Sequence, residues 1–555
     1  MFEFFFPSLL AKGFPFLSSA PWGAEALEKR VYKRAVRTVG DEAHRRSVCL
    51  STKLYLPLYP TSNIIIINII ISNNISNCNN TLTIVSLSWV ASNHHVLAMS
   101  ELPLDGKCSS TSLSTQHTPS STMTDNRIGS FGTVPTAIFN KAHELRRRCE
   151  GRPCSFSRYE FPAWLDKSRE AVADLLNADP DNIVLVANGS TASNTIMRNF
   201  VWNEDGLDEI IQVSIIFAPL GKMTGYVGEL SQGLVRTRQV QLNYPLEDDE
   251  VVELFRQGIQ ASREAGRRPR LGIFDTISST PAIRLPFERL VALCREEGVM
   301  SFVDGAHAAG HMKIDLAALD PDFFVTCCHK WLFIPRGCAA LYVAARNQWM
   351  VRSTLPLSHG FIPTADIEQG KVDGKLAQAL ASGKTPFVYN FEFVAPMDNF
   401  GYLCIPESIR WRQEVCGGEK AIQTYCVNLA RAAGALMASI LGTKVLDNKS
   451  QSVSACCMTN VLLPLKLDAG NGDETPLPEG WYAVRSKPGV QFRVSDWIMR
   501  KMATEYETLM PVFFFQGSWW ARGSAQIYLE LDDFEWGGRM LKDLCERVGD
   551  GEYLL

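Results

Sequence analysis

The chain contains no CxxC pair and no Cys/His cluster at metal-ligand spacing. Its fifteen cysteines are scattered, four of them in the adjacent pairs Cys327-Cys328 and Cys456-Cys457. Neither a zinc centre nor a disulfide framework is indicated, and the usage fits reduced, mostly buried thiols in a reducing compartment such as the cytoplasm. Basic residues are not in excess: 55 Lys and Arg against 59 Asp and Glu give a net charge of −4, which argues against nucleic acid as a partner. No uninterrupted apolar run reaches the about 20 residues a membrane span needs. Pro57, Pro60, Asn63 and Asn68 break the longest candidate. The apolar start MFEFFFPSLL carries Glu3 where a signal peptide has a basic n-region, so secretion is not expected. The sequons at Asn74 and Asn79 are therefore read as chance. No internal repeat is evident.

The composition, 46% apolar, is that of a globular protein, and 555 residues suggest two or three domains. The first 122 residues differ from the rest. They hold the Ile/Asn tract TSNIIIINIIISNNISNCNN and the Ser/Thr-rich stretch SSTSLSTQHTPSSTMT. Residues 1–122 are expected to be disordered in part or to be translated non-coding sequence, with Met99 or Met123 as the alternative start, and no function is assigned to them.

From Asn182 onward, strand-like and helix-like patterns alternate. Apolar runs stand at 182–188, 209–218, 234–242, 270–277, 299–307, 323–330 and 338–344. Amphipathic segments such as Asp249–Glu264 and Pro286–Glu297 lie between them. The expected fold class is α/β: seven strands in a mostly parallel sheet, covered by helices on both faces. A helix-rich stretch follows from about Pro406, with strand candidates near Val453–Leu463, Gln491–Ser495 and Ala525–Leu531. This predicts a large domain over 123–405 and a smaller C-terminal α/β domain over 406–555.

Two of the runs end in polar residues. SFVDGAHAAG brings Asp304 and His307 to a strand tip, and FFVTCCHKWL brings Cys327, His329 and Lys330 to the next. Parallel α/β sheets place ligands in the crevice beyond such strand ends. An amine, an acid and an imidazole at one edge are what pyridoxal phosphate (PLP) requires. The lysine forms the Schiff base, and the acid keeps the pyridine nitrogen protonated so that the ring acts as an electron sink. Bulky Trp331-Leu332-Phe333 beside Lys330 favours the neutral, nucleophilic amine; the competing reading is a solvated strand-end lysine. Asp304 would pair with the ring nitrogen, each pKa unit gained there being worth about 1.4 kcal/mol, or else cap the next turn. His307 would donate to the cofactor phenolate oxygen or serve structure only. Gly189, Ser190 and Thr191 open a helix after the run 182–188 and suit a phosphate, although a plain N-cap uses the same residue types. Cys327 and His329 are secondary phosphate candidates. Phe217 would stack on the ring or join the core. Arg522, in WWARGSAQIY, would hold a substrate carboxylate through two hydrogen bonds or sit in a surface salt bridge.

Taken together, NGSTASNT, VDGAHAAG, CHKWLFIPRGCAALYV, LSHGF, DNFGYLCIP and WWARGSAQIYL resemble the class V aminotransferase family of fold-type I PLP enzymes. The resemblance runs from about Gly129 to the C-terminus. It is nearest to the isopenicillin N epimerase-like branch, which includes fungal proteins of loline biosynthesis and carbon–sulfur lyases of ergothioneine biosynthesis. IGSFGTVP at 128–135 is similar to that branch's N-terminal segment. The resemblance implies Lys330 as the Schiff-base lysine, Asp304 as the N1 partner, His307 as the O3′ contact and Arg522 as the carboxylate anchor. It also implies a homodimer acting on a small amino-acid substrate. Three positions depart from the pattern: Asp125-Asn126-Arg127 before GSFG, FAPLGK at 217–222, and Ala395-Pro396-Met397 in place of a Gly-Thr pair. Pro396 offers neither a hydroxyl nor an N–H. No cysteine stands in Thr504–Ala521, where the desulfurases carry their catalytic one. The expected reaction is therefore α-proton abstraction by Lys330 and loss of a sulfur-bearing β-substituent, as in hercynylcysteine sulfoxide cleavage to ergothioneine. The alternatives are an epimerase, an aminotransferase, or an inactive PLP-binding relative kept as a partner subunit.

Overall fold

A computed structural model of the chain describes residues 50–58, 63–72, 81–90, 131–371, 374–468 and 476–554. In the N-terminal part, β1 (Leu50–Leu58), β2 (Asn63–Ser72) and β3 (Thr81–Val90) form an antiparallel sheet in that order. The Ile/Asn tract supplies β2, and its β-branched isoleucines suit extended backbone. The sequence reading assigned no regular structure there. The rest of that reading of residues 1–122, and Asp125-Asn126-Arg127, lie outside the described residues.

Beyond them, α1 (Thr136–Gly151) and α2 (Phe161–Leu176) precede β4 (Ile183–Val186). There follow α3 (Gly189–Asn199), β5 (Asp208–Val213), α4 (Ala218–Leu230), β6 (Val235–Val240), α5 (Asp248–Glu264) and β7 (Arg268–Asp275). Then come α6 (Phe287–Glu296), β8 (Met300–Asp304), β9 (Phe323–Cys327), the one-turn helix α7 (Cys328–Trp331) and β10 (Ala339–Val343). All seven expected strands are present, in the order β4-β10-β9-β8-β7-β5-β6. Strands β4, β5, β9 and β10 are buried at every position, as a sheet with helices on both faces requires.

Within this sheet β10 alone runs against its neighbours. A parallel crossover takes a dozen or more residues, usually a helix. The connection 328–338 is too short for that, so the chain turns back and pairs Ala339 with Cys327. Lys330 rides on this tight excursion. Because β10 is reversed, β4 runs the same way as β9, β8 and β7, and their C-terminal ends share one edge.

The C-terminal part contains α8 (Ile405–Cys416), α9 (Glu419–Leu441), β11 (Met458–Leu462), β12 (Leu465–Asp468) and β13 (Tyr482–Arg485). It continues through α10 (Val490–Glu505), β14 (Val512–Phe515), β15 (Ser518–Ser524) and α11 (Leu531–Gly549). The order β11-β15-β14 is antiparallel, and a second apolar core packs around it. This is the expected smaller α/β domain, with two differences. Gln491–Ser495 is helical: Val490, Val494, Ile498 and Met502 are buried at helical spacing, which a five-residue window cannot distinguish from a strand. The strand expected at Ala525–Leu531 lies earlier, at Ser518–Ser524, and so carries Arg522 itself. α9 is long and apolar enough to cross a membrane by length and composition, but its Ile422, Cys426, Ala433 and Met437 belong to this core.

Candidate active site

Asp304 is the last residue of β8, and the turn after it carries His307. Both are buried, at 5% and 2% exposure. Asp304 Oδ1 accepts the Ala306 N–H at 2.9 Å, so the acid does cap its turn, and it also faces the Lys330 charge. Lys330 leaves the tip of β9 on α7, and its Nζ lies 3.3 Å from His307 Nε2. On the other side of the imidazole, the Trp331 indole N–H donates to His307 Nδ1 at 3.0 Å. An indole nitrogen can only donate. Nδ1 therefore accepts, and the ring proton of a neutral His307 sits on Nε2, toward Lys330. Burial, then the Lys330 and Arg522 charges, hold this imidazole well below its ordinary range, so it stays neutral.

The remaining residues singled out in the sequence converge in part. Phe217 caps α4 at 38% exposure, outside the core, with its ring centroid 5.9 Å from Lys330 Nζ. Asn188 caps α3: its Oδ1 accepts the Thr191 N–H at 2.8 Å and the Thr191 hydroxyl at 3.1 Å. The cap uses one first-turn donor, and exposed Ser190 stands at the open end of the helix. Cys327 is buried, and its Sγ lies 3.4 Å from where a Cβ on Gly189 would sit. His329 is tied by Nδ1 to the Cys338 carbonyl at 3.0 Å, which leaves Nε2 for any ligand. Arg522 is fully buried, and its Nη1 donates to the Ser279 carbonyl at 2.6 Å in the loop after β7. The surface alternative for Arg522 is excluded: β15 carries the guanidinium inward, to the edge of the large sheet. Pro396 is exposed.

Four groups take parts that the sequence did not reveal. Trp331 fixes the His307 tautomer, as above. Arg412 is fully buried; its Nη1 donates to the Trp331 carbonyl at 2.8 Å and its Nη2 to the Gly310 carbonyl at 2.9 Å. With Glu419 Oε2 at 2.7 Å, it binds the lysine turn to the loop after His307. Gly310 at φ +78° lets that loop approach, since a Cβ would stand 2.6 Å from the Trp331 oxygen. Asp275 ends β7 as Asp304 ends β8, and the same strand-tip signal in GIFDTI would have found it.

His311 is the fourth. Its ring packs against Trp331 at a tilt of 50° with centroids 4.1 Å apart, and its Nε2 accepts the Cys457 N–H at 2.7 Å. Burial, then the Arg522 charge, lowers its pKa to about 3. The folded pKa is depressed, so His311 contributes stability that is present above its ordinary value of 6.5 and is lost as pH falls toward 3. Denaturant unfolding of the apoprotein at pH 7 and pH 5 should show it. His311→Asn should lessen the loss of stability between those pH values by about 1–2 kcal/mol. An unchanged pH dependence would contradict the buried neutral state.

These groups fit PLP: a lysine amine, an acid, a neutral imidazole whose Nε2 proton faces the cleft, an aromatic face, and a helix N-terminus on the same edge. Fold and site together define a PLP-dependent enzyme of fold type I. The pattern "Aminotransferase class-V" matches residues 248–374, which include Asp304, His307 and Lys330. The L-cysteine desulfhydrase-like protein lolT1 of Epichloe uncinata is 34% identical over 431 residues, 77% of this chain and 93% of its own. The hercynylcysteine sulfoxide lyase of Schizosaccharomyces pombe is 28% identical over 417 residues, 75% of this chain and 93% of its own. Among solved structures, a C-DES mutant with glycine covalently linked to its PLP cofactor matches with a TM-score of 0.57 at 16% identity. That match covers 75% of this chain and 95% of C-DES, and bears on the fold alone. The chain belongs to the class V aminotransferase family.

Proposed function

We propose that the protein is a carbon–sulfur β-lyase acting on a cysteine conjugate, of the hercynylcysteine sulfoxide lyase type. The observation that carries this reading is the convergence of Lys330, His307 and Asp304 at the strand tips with Arg522, which reaches the same edge from the small domain. The desulfhydrase-like and sulfoxide lyase relatives support the reaction class. When bound, PLP supplies an electron sink for carbanion chemistry at the substrate α-carbon.

The chain's own residues supply the rest. Arg522 holds the substrate carboxylate by paired hydrogen bonds. Lys330 Nζ accepts the α-proton. His307 donates its Nε2 proton as a hydrogen bond toward the cofactor's phenolate oxygen, and Asp304 holds the ring nitrogen. Gly189, Ser190 and Thr191 receive the phosphate, with Cys327 and His329 beside it, and Phe217 covers the ring face. The Cβ–S bond breaks with its electron pair leaving on sulfur, and hydrolysis of the released enamine gives pyruvate and ammonia. We further infer a large cofactor-binding domain over 123–405, a small domain over 406–555, a homodimeric assembly and a cytoplasmic location. The free state of the described cysteines supports the location.

Incubation of the holoenzyme with S-substituted cysteines and their sulfoxides should release pyruvate, ammonia and the sulfur fragment in equal amounts. Inversion at the α-carbon without sulfur release would instead make the protein an epimerase.

A further inference from the structure

Asp275 and Asp304 are paired in register at the tips of the parallel strands β7 and β8. Residues in register on neighbouring parallel strands, about 4.8 Å apart, project to the same face. Both carboxyls are buried, Asp275 at 3% exposure, and Asp275 Oδ2 has no hydrogen-bond partner among the described residues. Asp304 Oδ1 is occupied by the Ala306 N–H. The charged groups acting on Asp275 are Asp304, from β8, and Lys330, from the turn after β9. One lysine faces two buried acids. Two adjacent carboxylates in a desolvated site do not both ionise when they can share a proton.

We propose that Asp275 is a positioning acid that keeps its proton and donates it as a hydrogen bond to Asp304, leaving Asp304 as the carboxylate that serves the pyridine nitrogen. The assignment of the proton to Asp275 follows from position. Asp275 keeps one oxygen without any donor and has only its own backbone N–H at the other, whereas Asp304 accepts the Ala306 N–H of its turn and stands on the strand next to β9, whose tip carries Lys330. Burial, then the Asp304 charge, pushes the Asp275 carboxyl well above the ordinary carboxylate range; burial raises Asp304 too, with the Lys330 charge opposing it. The arrangement fixes the rotamer of Asp304 and limits the site to one negative charge. It rests on the reading that Asp304 serves the cofactor ring.

Infrared difference spectroscopy of the apoprotein at neutral pH tests the proton directly. The spectrum of wild type minus Asp275→Asn should contain the carbonyl stretch of a protonated carboxylic acid; a carboxylate stretch in its place overturns the proposal. In the holoenzyme, Asp275→Ala should move the pH midpoint of the bound cofactor's absorbance by at least half a unit and lower kcat about tenfold with little change in KM. Asp275→Asn, which keeps a donor toward Asp304, should recover most of both effects. Equal effects of Ala and Asn, or none from either, would refute a hydrogen-bond donor role, and apoprotein melting curves identify a variant that fails to fold. Asp304→Asn provides the separate control. If it binds PLP like the wild type while the protonated band still maps to Asp275, the acid pair stands and the ring assignment of Asp304 falls.

Discussion

Lys330→Ala is expected to remove the covalent attachment of PLP and to lower turnover by about three orders of magnitude or more. Under the proposed function two roles are lost together, since the same nitrogen would attach the cofactor and accept the α-proton. Lys330 is only partly buried and contacts His307 and the Phe217 face, so the variant should fold. Borohydride reduction of the wild-type holoenzyme followed by peptide mapping should place the cofactor label on Lys330, and the alanine variant should carry none. A label on any other lysine would overturn the site. Because His307 is neutral and its Nε2 proton points at this amine, Lys330→Arg should not rescue activity. A guanidinium stays protonated and cannot accept a proton.

Arg522→Lys is expected to lower kcat/KM by about 10- to 150-fold, mainly through KM, the equivalent of about 1.5–3 kcal/mol for a charged hydrogen-bonded pair. An ammonium offers a point charge and cannot reproduce the planar fork with which a guanidinium can hold both oxygens of a carboxylate. Arg522 is fully buried and donates to the Ser279 carbonyl, so part of any loss could come from the domain contact. Steady-state kinetics with a substrate and with its decarboxylated amine separates the two. The amine, which has no carboxylate to lose, should be turned over similarly by both enzymes. An equal loss with both substrates would assign Arg522 to structure alone.

The sheet and half of the site were legible because both are encoded locally. Apolar runs end where the strands end, and Asp304, His307 and Lys330 each stand within a few residues of a strand tip. The errors fell where short windows carry two periods at once. Gln491–Ser495 has the alternation of a strand, yet belongs to a helix whose buried stripe shows only over four turns. Asp275 was passed over although it ends its strand as Asp304 does, because no imidazole or amine follows it in GIFDTI as His307 follows Asp304.

By itself the sequence determined the α/β class, the tip positions of the lysine and its acid, and the absence of ligand spacing for a metal, since all of these depend on residues close together in the chain. Tertiary structure alone decided the other contacts. Arg522 meets Ser279 across 243 residues, Arg412 ties Trp331 to Gly310, and Asp275 flanks Asp304 through strand pairing. The two arginine contacts exist because packing the small domain against the large sheet removes water from charged groups, each of which then needs a partner that chain order does not reveal, and the acid pair follows from the register of β7 on β8.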